Sequence, residues 1–148
     1  MQLVFDIETD DLKATLVHCI VAQDVETGEI FKFPPDKLQE GYELLTKADT
    51  LIGHNIIGFD IPVVEKFGGI DLSKKPVIDT LVLSRLFNPN REGGHSLEKW
   101  GYKLGYHKID FTDYLNYSRE MMEYCVRDVQ LNAVVLKELR RESKGFSK

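Results

Sequence analysis

The chain has 148 residues, a formal net charge of −5 and 43% hydrophobic content. That suffices for one globular domain with a real core, expected to span residues 1–148, and falls short of two domains of ordinary size. The acidic balance excludes a protein coated in basic surface, so nucleic acid would have to be gripped locally, by a cleft or by metal ions. The cysteines, Cys19 and Cys125, form no CxxC pair and have no histidine cluster nearby. Neither a zinc site nor a disulfide framework is therefore expected, and a reduced, cytoplasmic compartment fits. No apolar stretch reaches membrane-spanning length, and Met1 leads straight into the first strand without a basic leader, so no membrane or targeting role is expected.

Residues 2–7 read as a strand, followed by a polar turn at Thr9-Asp10-Asp11 and a second strand over 16–25. Thr27-Gly28 closes a hairpin into a third strand, Glu29-Ile30-Phe31-Lys32-Phe33. After Pro34-Pro35, the spacing of Leu38, Tyr42 and Leu45 predicts a helix over 36–47 with Asp36 as its N-cap. Thr50-Leu51-Ile52-Gly53 is a short strand. His54-Asn55 leads into a helix over 59–67 that stops at Gly68-Gly69. Val77-Ile78 is a last strand, and Asp79 or Thr80 caps the helix through Leu83 and Leu86. Residues 88–94 read as a loop before a helix at Ser96-Leu97-Glu98-Lys99-Trp100. A final helix over 117–140 carries two apolar stripes: Met122, Val126, Val129, Ala133 and Leu136, and opposite them Met121, Tyr124, Asp128, Leu131, Val135 and Leu139. Three strands followed by alternating helix and strand predict an α/β sandwich around a mixed five-stranded sheet, three strands antiparallel and the rest parallel, flanked by helices.

Four carboxylates and a tyrosine, Asp6, Glu8, Asp60, Asp128 and Tyr124, stand out. Asp6 and Glu8 end the run Leu3-Val4-Phe5, and strand geometry sends residues two apart to one face, within reach of a shared cation. Tyr124 and Asp128 are four apart on a helix and share a face. Asp128 lies on an apolar stripe, where burying a carboxylate costs several kcal/mol unless a cation or donor compensates. A metal would do so. Magnesium and manganese suit an all-carboxylate site, and two such ions about 4 Å apart can stabilise both the attacking and the leaving oxygen of an in-line phosphoryl displacement.

Phe5-Asp6-Ile7-Glu8-Thr9, His54-Asn55 through Phe59-Asp60, and Tyr124 followed by Asp128 resemble the three motifs of the DEDDy 3′→5′ exonucleases, which are ribonuclease H-like. The resemblance is closest to the proofreading domains of family A DNA polymerases from phages. It extends through residues 78–86, beginning Ile78-Asp79-Thr80-Leu81, through 95–105 around Ser96-Leu97-Glu98-Lys99-Trp100, and through 120–124. It implies two divalent ions, Mg2+ or Mn2+, with Asp6 bridging them, Glu8 and Asp128 holding the first, and Asp60 supporting the second through water. Tyr124 and Glu8 are implied to orient the attacking water. Thr9, Leu12, Asn55 and Phe59 fall where the family contacts the terminal nucleotide, Leu12 as a wedge against the last base. Phe111 is a candidate for base stacking that no motif anchors.

The resemblance implies single-stranded or frayed DNA 3′ ends as substrate, with RNA as a second candidate, in a bacterial or phage-infected cell. No polymerase body accompanies the domain, so it is expected to act alone, as a piece of a larger enzyme, or docked on a DNA polymerase partner. It is also shorter than the phage domains around 71–76 and 88–94. The rival readings are an exoribonuclease of the same fold and a non-catalytic polymerase-docking module; a carboxylate-pair glycosidase is remote, with no sugar-stacking aromatic platform near Asp6 and Glu8. Singly, the residues have plainer readings: a solvated strand-end pair for Asp6 and Glu8, an exposed first-turn acid for Asp60, a core tyrosine for Tyr124. Asp79 reads as a helix cap, His95 and Trp100 as structural, and His54 as near the cleft without being a ligand. Lys137, Arg140, Arg141, Lys144 and Lys148 read as a solvated helix end.

Overall fold

A computed structural model describes residues 1–145; Lys148 of the basic C-terminal group lies outside the described residues. Five strands, β1 (Gln2–Thr9), β2 (Val17–Asp24), β3 (Ile30–Phe33), β4 (Thr50–Gly53) and β5 (Val77–Asp79), form one sheet in the order β3-β2-β1-β4-β5. The β1–β2 and β2–β3 pairs are antiparallel, and the β1–β4 and β4–β5 pairs are parallel. The helices are α1 (Leu38–Lys47), α2 (Ile61–Gly68), α3 (Thr80–Phe87), α4 (Leu97–Leu104) and α5 (Arg119–Gly145). This is the mixed, helix-flanked sheet that the order of elements predicts.

Strand β1 is central because both of its faces are apolar. Leu3, Phe5 and Ile7 pack on one side with Leu45, Leu51, Ile56 and Val64. Val4, on the other, joins Val21 and Ile52 beneath Met121, Met122, Cys125, Val129 and Leu136 of α5. The two-residue period of a strand therefore delivers Asp6 and Glu8 to the α5 side. The two stripes of α5 are not opposed: Cys125 and Asn132 are buried between them and join them into one broad arc. One flank of that arc meets the sheet, and the other, Leu131, Val135 and Leu139, packs with Trp100 of α4.

Two local expectations change. Asp36 caps nothing: a 3-10 turn, Pro35–Lys37, precedes α1, and neither element has a side-chain cap. Pro35 supplies a first helical position that needs no donor partner, which leaves Asp36 inside the turn. The helix expected over 59–67 is split into a π-helical turn, Ile56–Asp60, and α2. Gly53 makes the tight entry to that turn possible, since a Cβ there would lie 2.2 Å from Ile56 Cγ2 and 3.0 Å from the Phe5 carbonyl oxygen.

Asp79 holds this turn in place. Its Oδ1 accepts from the Leu81 amide, capping α3 at 3.0 Å, and from the Asn55 amide at 2.9 Å. Its Oδ2 accepts from Ile57 N at 3.1 Å. Asn55 is the one non-glycine residue with positive φ among those described, at 63°. Beside it, His54 bridges Thr80 Oγ1 (2.8 Å) and the His95 carbonyl (2.7 Å), while Ser84 Oγ links His95 Nδ1 (2.7 Å) to the Trp100 indole N–H (3.0 Å). His54, His95 and Trp100 are thus all engaged in the framework. Replacing Asp79 by Ala is expected to lower the unfolding free energy by about 2–4 kcal/mol, since it strands two or three backbone donors. Asp79→Asn, which keeps one acceptor oxygen, should recover part of this in a urea titration.

Candidate active site

The acidic residues meet where β1 runs out beneath the N-terminal half of α5. The β1–β2 ladder is irregular there: Glu8 pairs with Cys19 and Thr9 with Val17, which skips a residue of β2. Such a bulge re-aims side chains at a sheet end. Glu8, Asp60 and Asp128 are buried, and Asp6 is partly so. One ligand atom from each of Asp6, Glu8 and Cys125 lies within 4.8 Å of the others. The Cys125 thiol is 3.7 Å from the Asp6 carbonyl oxygen and 3.9 Å from Asp6 Oδ2, positioned to donate weakly to both. Asp128 joins from the same helix, and its Oδ2 is 3.3 Å from Lys108 Nζ. That ammonium also lies 5.0 Å from the centre of the Tyr124 ring.

Crowded, desolvated carboxylates hold their protons. Burial raises Asp6 to about 6, offset in part by a hydrogen bond with Asp60 and by the charge of Lys108. Burial, then the charges of Asp6 and Asp128, raises Glu8 to about 10. Burial and Asp6 raise Asp128 to about 7 against the pull of Lys108, and the same two causes push Asp60 well above the usual carboxylate range. Burial, then Asp128, pushes the Tyr124 hydroxyl up, so it stays protonated at neutral pH.

Asp60 Oδ2 and Asp128 Oδ1 are buried with no hydrogen-bond donor. Their shared setting with Asp6 favours the protonated form of Asp60. Orphaned carboxylate oxygens in a cluster of four acids fit a hard divalent ion. Asp6, Glu8, Asp60 and Asp128 are the residues able to hold it.

Glu8 opens into a cavity of about 330 Å³ that Thr9, Leu12, Phe59 and Tyr114 also line. Leu12 stands at its edge, 87% exposed, and the Thr9 hydroxyl donates to the Asp11 carbonyl at 2.9 Å. Three of the four residues expected to contact a terminal nucleotide thus share one cavity with Glu8. Asn55 is not among its lining residues. Phe111 is partly buried beside the site. It lies against Tyr124, with centroids 5.4 Å apart and planes tilted by 30°, and meets Tyr114 edge-on at 5.1 Å. Sequence reasoning missed Lys108, Cys125 and Tyr114. Cys125 was accessible in principle, being three residues before Asp128 on one helix; Lys108 and Tyr114 sit in an irregular stretch with no periodicity to mark them.

Sheet order, strand directions and the flanking helices define a ribonuclease H-like fold built on a mixed five-stranded sheet. The solved structure of RNase D from Trypanosoma brucei superposes with a TM-score of 0.70 at 14% identity, over 93% of this chain and 57% of that one. Exonuclease X, solved in complex with 5′ overhanging duplex DNA, superposes with a TM-score of 0.60 at 18% identity, covering 97% of this chain and 93% of its own. In sequence, the chain is 29% identical to the DNA-directed DNA polymerase of Enterobacteria phage T3 over 97% of its own length. It spans about 27% of that polymerase. The similarity to a phage DNA polymerase therefore extends across nearly the whole chain. No family model matches it. Among the described residues no helix is long and apolar enough to cross a membrane.

The raised carboxyls predict a pH dependence. Because their folded-state pKa values lie above those of the unfolded chain, the folded protein binds more protons, and stability falls as pH rises. In EDTA the thermal midpoint should drop between pH 5 and pH 8, the range in which Asp6 and Asp128 titrate. Saturating Mg2+ should reverse the drop at pH 8. A midpoint that rises with pH in EDTA would contradict this account of the site.

Proposed function

We propose that the chain is a metal-dependent 3′→5′ exonuclease that hydrolyses single-stranded or frayed DNA ends to nucleoside monophosphates, acting alone or as a piece or partner of a DNA polymerase. The observation that carries this reading is the convergence of Asp6, Glu8, Asp60 and Asp128 with two buried carboxylate oxygens that lack donors. Asp6, Glu8, Asp60 and Asp128 would together hold two divalent ions, Mg2+ or Mn2+. When bound, such ions keep the carboxylates ionised and stabilise the attacking and leaving oxygens of an in-line displacement.

The remaining chemistry belongs to the chain. Glu8, once ionised, accepts a hydrogen bond from the attacking water and turns its lone pair toward the terminal phosphorus. Tyr124 keeps its proton, so it orients that water or a phosphate oxygen by hydrogen bonding and is not a phenolate base. Thr9, Leu12 and Phe59 would hold the last nucleotide in the cavity beside Glu8, with Leu12 at the mouth as a wedge against the last base. Attack by water breaks the bond between phosphorus and the 3′ oxygen of the preceding sugar, and a nucleoside 5′-monophosphate leaves.

The test is a time course on 3′-labelled and 5′-labelled single-stranded DNA and RNA, with Mg2+, Mn2+ or EDTA. The parent should shorten DNA stepwise from the 3′ end only when metal is present. Asp6→Ala and Asp128→Ala should be inactive yet folded by circular dichroism. Tyr124→Phe should be slower by about tenfold, the cost of one lost hydrogen bond. Parent-rate degradation by Asp6→Ala would rule the assignment out. Faster loss of RNA than DNA would make the chain an exoribonuclease, and inertness of the pure parent would favour a docking role beside a polymerase.

A further inference from the structure

Lys108 is unlike the other basic residues described, because its ammonium enters the acidic site. It lies 3.3 Å from Asp128 Oδ2, and its side chain is only 22% exposed. Its charge acts on Asp6, Glu8 and Asp128 together, lowering all three against the effect of burial. The backbone that carries it is pinned on both sides. Before it, the His107 carbonyl accepts from Arg127 Nε at 2.8 Å, and the Arg127 guanidinium lies 3.7 Å from the centre of the Tyr106 ring. After it, the Tyr114 carbonyl meets His18 Nε2 at 2.8 Å, and the Phe111 and Tyr114 rings rest on Tyr124. Arg127 immediately precedes Asp128, so the segment is anchored beside the carboxylate it reaches. The ammonium nonetheless leaves Asp128 Oδ1 and Asp60 Oδ2 without donors.

We infer that Lys108 is a built-in counterion of the metal-free site, held at Asp128 until divalent cations bind and displaced by them. This rests on the metal-dependent reading above and adds a competition internal to the chain. One compact charge at Asp128 cannot satisfy four carboxylates, which makes it a placeholder, and a divalent ion at Asp128 would be repelled by an ammonium at contact distance. Since the backbone is pinned, release requires only rotation of the flexible four-carbon side chain. The site thereby stays partly neutralised before metal binds, and its apparent metal affinity is lower than the carboxylates alone would set.

The experiment is a Mn2+ titration of the full chain at one pH, with free Mn2+ read by electron paramagnetic resonance, on the parent, Lys108→Met and Lys108→Arg. Lys108→Met should bind Mn2+ at least threefold more tightly than the parent, and Lys108→Arg should match the parent. Lys108→Gln removes the same charge and serves if Met is not tolerated. In parallel, the Lys108 side-chain NMR signal, assigned by its loss in Lys108→Arg, should move to the position of solvent-exposed lysines on Mg2+ saturation. Equal or weaker Mn2+ binding by the neutral variants, with measurable binding by the parent, overturns the counterion role and leaves the metal-dependent reading standing. No Mn2+ binding by any of the proteins overturns both.

Discussion

The constraint on which the rest of this structure depends is the burial of four carboxyl groups at one end of its central strand. Ionised, they repel one another in a setting where water cannot screen them, and each raised pKa records that cost. Three features ease the excess: raised pKa values that favour protonated acids, the Cys125 thiol against Asp6, and Lys108 at Asp128. None of these fully satisfies the site, since two carboxylate oxygens remain without donors. A fold optimised for stability alone would bury something else there. Carboxyls perturbed by burial and by one another in this way mark a candidate functional site.

The packing that tolerates this crowding is firmly made. Strand β1 has a neighbour on each side and an apolar cluster on each face, so its carboxylates project from a rigid base. The far end of α5 is tied down by Arg91, whose guanidinium donates to both oxygens of Glu142 at 2.7 and 2.9 Å and lies 4.5 Å from the centre of the Trp100 ring. A buried ion pair of this kind contributes more to geometry than to net stability. Here it ties the 88–94 loop to the helix that carries Tyr124 and Asp128. Its near end is held by the irregular 106–114 segment, and Asp79 holds the turn that ends in Asp60. The four carboxylates thus come from three separately braced elements.

Much of this was legible in the order of residues, and the failures are instructive. Asp36 does not cap the helix, because capping propensity is local whereas the Pro34-Pro35 pair sets the course of the chain. The π-helical turn before α2 was missed because no periodicity marks five residues. Lys108 had no signature at all: it lies in a stretch without helix or strand, and nothing in its neighbours points toward Asp128.

The sequence by itself determined the sheet, the helices and the identity of the acids. Alternation along residues 2–9 and helical spacing along α5 are written in nearest-neighbour order, and they dictate which side chains share a face. Only the tertiary structure decided which groups confront one another across those faces: Lys108 with Asp128, Cys125 with Asp6, Asp60 with Asp6. Those pairings, and the protons they retain or release, arise from burial and from contacts between distant segments, because a carboxylate's charge state is set by what the folded chain places around it and not by its neighbours in sequence.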